Sequence, residues 1–112
     1  MIIVRVTGGL GNQMFQYAMY KSLEKKGKLV KLDSKSFYET KKEHNGYELE
    51  RIFDIKPNKP TKEDLEKFDE NNISTLFKIK RKLFGDKKFV YDTKEYVFNK
   101  DVYKLKNSYL NG

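Results

Sequence analysis

The chain opens on an apolar run, Ile2 to Val6, that is β-branched at every position except Arg5. A short run of this kind fits a buried strand. "GGLG" follows at residues 8–11, and then Phe15, Ala18, Met19, Ser22 and Leu23 recur at i, i+3, i+4, i+7 and i+8. That spacing predicts an amphipathic helix with those residues on its core stripe. Asn12 or Gly11 is placed to cap its start, and Gly27 stands where a left-handed residue closes a helix. "KLVKLD", residues 28–33, reads as the next strand. Strand, glycine turn, helix and strand make a βαβ unit, so a parallel sheet with a right-handed crossover is expected.

From Ser34 to Asn45 the chain is polar, with Phe37 and Tyr38 its only large apolar groups, and it reads as loop. In "YELERIFDI", residues 47–55, neither period wins, although Leu49, Ile52 and Phe53 suit a short helical turn. Pro57 and Pro60 stop whatever precedes them. Thr61 stands three residues before Asp64 as in a capping box, and Leu65 with Phe68 gives the following helix one apolar edge. Ser74 is a second start signal, for a helix through "TLFKIKRKLF" that Gly85 closes, with Leu76, Phe77, Leu83 and Phe84 on one face. "FVYDTKEYVFN" and "DVYKLKNSYL" are rich in Tyr, Val and Phe and read as strands joined by polar turns. "NSYLNG" stops while the pattern is still strand-like, so residues 1–112 are expected to be one truncated N-terminal domain.

Composition narrows the chemistry. The chain has no cysteine, which excludes disulfides, Cys-based zinc sites and thiol catalysis, and His44 is its one histidine. No carboxylate cluster surrounds that imidazole at ligand spacing, so no metal is expected. No window approaches the roughly 20 apolar residues of a membrane span, and the start is too soon broken by Arg5 and glycine for a secretory signal. A cytoplasmic protein is expected.

The formal charge is +8, and its densest part is residues 78–88, where Lys78, Lys80, Arg81, Lys82, Lys87 and Lys88 face one acid, Asp86. Such a stretch is either a solvated surface or a contact for an anionic partner. No RNA-binding or helix-turn-helix signature accompanies it, so nucleic acid is not expected.

The glycine turn carries the clearest chemistry. Between a strand and a helix N-terminus it offers backbone N–H groups and the positive end of the helix dipole, an arrangement suited to phosphate. Gly9, Gly11 and Met14 give G-x-G-x-x-M against the dinucleotide pattern G-x-G-x-x-G, with Asp33 about 20 residues on, where a ribose-binding acid belongs. Met14 is large for a position where glycine allows close packing. Asn12 and Gln13 either read a polar ligand, since an amide both donates and accepts, or cap and solvate the helix start. His44 is either a general base or an exposed histidine beside the turn dipeptide Asn45-Gly46. Glu48 and Glu50 are open in the same way.

"GGLGNQMFQYA", residues 8–18, resembles the N-terminal signature of glycosyltransferase family 11, the α-1,2-fucosyltransferases, and "HNGYELERIFDI", residues 44–55, resembles the next segment of its bacterial members. The likeness covers residues 1–55 well and the remainder loosely. It implies an α/β fold with a Rossmann-like parallel sheet, the N-terminal portion of a GT-B-type enzyme, which a further segment would complete. It also implies inverting, metal-independent transfer of L-fucose from GDP-fucose to the 2-hydroxyl of a β-galactoside in a surface glycan. By the same resemblance Gly8, Gly9, Gly11, Asn12 and Gln13 line the donor and acceptor cleft, with Asn12 the foremost polar contact; no catalytic residue is assigned. Relatives carry a downstream H-x-R-R-x-D segment whose arginines grip the GDP phosphates, and these 112 residues contain no such run. The chain alone is therefore expected to be inactive. Lys78 to Lys88 are expected to hold the enzyme at the anionic inner membrane. A non-enzymatic domain binding anions or sugar nucleotides is the alternative, and a nicotinamide enzyme the third.

Overall fold

The computed structural model describes residues 1–39, 44–68, 90–92, 103–105 and 107–111, with the backbone alone for 90–92. Strand β1 is Ile2–Arg5, helix α1 Leu10–Lys25 and strand β2 Val30–Asp33. Short helices α2 (Ser36–Glu39), α3 (Leu49–Phe53) and α4 (Lys62–Glu66) follow, then strands β3 (Val90–Asp92) and β4 (Ser108–Asn111). The strands form one sheet in the order β2-β1-β4-β3, and every pairing is parallel. The protein is thus α/β, as expected. β3 and β4 are neighbours but not a hairpin.

Alternation along the strands gives the sheet two faces. Ile2, Val4 and Val6 join Val30, Leu32 and Leu110 under Tyr20 and Leu23 of α1 and Leu49 of α3. On the opposite face Ile3 packs with Phe68, flanked by Met1, Leu65 and Tyr109. Ile2, Ile3, Val4 and Val6 are wholly buried, so the opening run is the centre of both layers.

The end of α1 is closed as its sequence predicts. Gly27 adopts φ +80°, its N–H donates to Glu24 O at 3.0 Å, and Lys28 N–H reaches Leu23 O at 3.2 Å. This is the Schellman arrangement, in which a left-handed residue satisfies the last helical carbonyls. The start is different. Gly9, not Asn12 or Gly11, is the capping residue, and no side chain caps the helix.

The buried stripe of α1 is also rotated from the predicted one. Gln13, Gln16, Tyr20 and Leu23 face inward, while Phe15 and Ala18 are exposed. Apolar spacing alone misplaced it, because two glutamines occupy inward positions. Further along, the polar stretch after Ser34 contains α2, a single turn that the loop reading did not anticipate.

Leu49 anchors α3, but Ile52 and Phe53 remain about half exposed. The capping box of α4 forms as expected: Thr61 N–H donates to Asp64 Oδ2 at 2.9 Å and Asp64 N–H to Thr61 Oγ1 at 3.2 Å. Lys31 Nζ, on β2, donates to the same Asp64 Oδ2 and ties α4 to the sheet. Asn58 covers the outer edge of β2, accepting Leu32 N–H at 2.7 Å while its own N–H donates to Tyr20 Oη at 3.1 Å. The predicted helix from Ser74 to Gly85 and the basic stretch from Lys78 to Lys88 lie outside the described residues. No helix among the described residues is long and apolar enough to cross a membrane.

Candidate functional site at the glycine turn

The chain leaves β1 through Val6 and Thr7 at the carboxyl edge of the parallel strands, where ligands of open α/β sheets commonly bind. Gln16 fixes the exit. Its Oε1 accepts Thr7 N–H at 3.0 Å and its Nε2 donates to Thr7 Oγ1 at 3.3 Å.

Gly8 then turns with φ +76°, and a Cβ there would stand 2.5 Å from Asn12 Nδ2. Both the backbone angle and the overlying amide call for glycine. Gly9 and Gly11 differ. A Cβ on Gly9 would make an ordinary 3.6 Å contact with His44 Nδ1, and one on Gly11 would meet nothing within 4 Å. The fold itself does not require those two glycines, and at a helical position glycine costs roughly 0.5–1 kcal/mol relative to alanine. What their lack of side chains leaves open is the approach of a ligand to the first turn of α1.

That turn is electrostatically bare. Gly9 has no side chain to offer the helical N–H groups, and no acidic residue lies in the first turn, so the positive end of the α1 dipole is not neutralised from within. Asn12, half-buried, leans over Gly8 beside this surface.

Gln13 is not a ligand reader. Its side chain is fully buried, its Nε2 donates to Gly8 O at 2.9 Å and Gly46 O at 2.8 Å, and its Oε1 accepts Glu48 N–H at 2.9 Å. With its amide spent on three backbone groups it cannot line the cleft, which corrects the expectation for this residue. Instead it bolts the glycine turn to residues 46–48. Gln13 and Gln16, three apart on one helix face, are a legible signal for such a bracket; Gln16 was overlooked because amides were read as solvent-facing.

The bracket has a second effect. It brings His44, exposed and with φ +52°, to rest its imidazole against Gly9. A non-glycine residue in the left-handed region is uncommon, and histidine is among the types that tolerate it. The sole histidine of the chain therefore sits at the mouth of the glycine turn. Glu48, in contrast, is buried and pairs with Arg51 Nη2 at 2.7 Å, and Glu50 pairs with Lys59 at 2.9 Å.

Asp33 lies away from this surface. Its carboxylate is on the sheet face opposite α1, where Oδ1 accepts Lys35 N–H at 2.9 Å and Oδ2 accepts the Tyr109 hydroxyl at 2.7 Å. Engaged there, and with Met14 projecting outward at 47% exposure, the pattern lacks the ribose contact and close helix packing of a dinucleotide turn. Comparison of the chain with protein-family models, with curated proteins and with solved structures finds no match in any of the three.

Proposed function

We propose that this chain is the glycine-turn part of a GT-B-type galactoside α-1,2-fucosyltransferase, presenting GDP-fucose and a β-galactoside to one another at the carboxyl edge of its sheet. One observation carries the reading. The two segments that resemble family 11, residues 8–18 and 44–55, are joined through Gln13 and through His44 on Gly9 into one structural unit. Segments distant in sequence that build one surface are what a shared site requires.

In inverting transfer the leaving diphosphate must be neutralised and the acceptor hydroxyl must lose its proton. The open α1 N-terminus favours the anionic donor, with Gly9 and Gly11 permitting approach and Asn12 supplying a polar contact. His44 is the titratable side chain beside that surface. No H-x-R-R-x-D run is present to clamp the phosphates, so the chain by itself binds donor without turning it over.

The absence of that run also favours a second reading, a module that binds sugar nucleotides or anions and transfers nothing. Amide NMR with GDP-fucose, GDP and NAD tests both. The transfer reading expects shifts at Gly9, Gly11 and Asn12 that GDP-fucose produces more strongly than GDP. Equal responses to GDP and GDP-fucose favour the anion module, and a stronger response to NAD overturns both.

A further inference from the structure

On the sheet face opposite α1, a cavity of about 310 Å³ opens at the carboxyl ends of β1 and β2. Arg5, Asp33 and Tyr109 form its floor, Phe68 its apolar wall, and Lys35 with Glu39 its rim. A second cavity of about 380 Å³ shares Asp33 and Lys35 with it, so the two make a continuous groove. The size suits a small organic ligand.

The polar groups in the floor are held in place. The Tyr109 hydroxyl reaches across β1 to Asp33 Oδ2 at 2.7 Å, and Arg5 Nη1 donates to Asn111 Oδ1 at 3.2 Å. A carboxylate oxygen has two lone pairs and a guanidinium five N–H donors, so both keep capacity toward the cavity after these bonds. The Phe68 and Tyr109 rings lie 6.3 Å apart, inclined at 48°, and give the same cavity an aromatic surface.

Its charge decides between ligand classes. Two cations, Arg5 and Lys35, are matched by two carboxylates, Asp33 and Glu39, and Lys35 is paired with Glu39 at 3.0 Å. A balanced lining does not select a phosphate or a dication. Fixed acceptors and donors side by side, next to aromatic carbon, complement vicinal hydroxyls and the C–H face of a pyranose.

We infer that this groove binds a neutral saccharide, one ring against Tyr109 and Phe68 with adjacent hydroxyls on Asp33 and Arg5. The site lies on the face away from α1, and the inference does not rest on the transfer reading.

Titration of the 112-residue chain with methyl β-galactoside, with lactose and with inorganic phosphate, followed by amide NMR, tests it. The sugars are expected to shift Arg5, Asp33, Lys35 and Tyr109, lactose extending the effect toward Tyr38 and Lys59. Arg5→Met is expected to weaken binding roughly tenfold, as loss of a charged donor does. Tyr109→Phe, which keeps the ring, weakens it less. Unchanged Tyr20 and Leu23 amides in each variant show that the α1 face remains folded. No sugar shifts at these residues in the unaltered chain, or equal shifts with phosphate, overturns the inference. Either result leaves the GDP-fucose response at Gly9 to Asn12 to be judged separately.

Discussion

Gln13 holds Gly46 across 33 positions of sequence, with Nε2 donating to the glycine carbonyl at 2.8 Å inside a fully buried amide. The same side chain serves Gly8 and Glu48, so the shape of the glycine turn and the position of His44 depend on one residue. Gln13→Leu conserves bulk but strands two carbonyls and one N–H. Loss of roughly 2–4 kcal/mol of stability is expected, read from the urea midpoint, with loss of the His44 ring contact read from the Gly9 amide shift.

The glycines of the turn should separate under alanine substitution. Gly8→Ala meets a positive φ and the Asn12 amide, and is expected to cost about 1–3 kcal/mol. Gly11→Ala meets open space in a helix and is expected to raise stability by about 0.5–1 kcal/mol while weakening GDP-fucose binding. Thermal unfolding with and without nucleotide distinguishes the two. A Gly11→Ala variant that binds GDP-fucose unchanged would remove that glycine from the site.

The Asp64 carboxyl is held down to about 2, first by the Lys31 ammonium and then by Thr61 N–H. Its folded value lies below the ordinary 3.8, so the stabilisation is complete above about pH 4 and is lost as pH falls toward 2. Asp64→Asn should flatten the acid limb of the stability curve over that window, measured by urea unfolding at successive pH values. An unaltered acid limb would assign the loss to other carboxylates.

Tyr20→Phe removes the acceptor of Asn58 N–H and loosens the segment that covers β2. A cost of about 1 kcal/mol is expected. Faster hydrogen exchange at Leu32, whose N–H is bonded to Asn58 O, is the direct readout.

What the sequence revealed followed the range of the forces involved. The buried run of β1, the closing turn at Gly27 and the Thr61–Asp64 box depend on neighbours a few residues away, and all were legible. The face of α1 was not, because Gln13 and Gln16 are inward amides whose partners, Gly46 and Thr7 among them, belong to other segments. Apolar counting then assigned Phe15 to the core, although it is 38% exposed. At the site, the glycine turn was evident from its residues, but the contact of His44 with Gly9 depends on a loop position that no local pattern encodes. The Asp33–Tyr109 bond spans 76 positions and was equally hidden.

The position of β4 sets an order of events during synthesis. Ser108–Asn111 lies between β1 and β3, so a nascent chain lacking it has nothing to join the other two strands. β1 would then expose an apolar edge, a hazard for intermolecular pairing. Pairing over so long a separation is slow. The ribosome must therefore release residues 108–111 before the sheet can close, and a chaperone that shields Ile2 to Val6 until then would raise the yield of native protein.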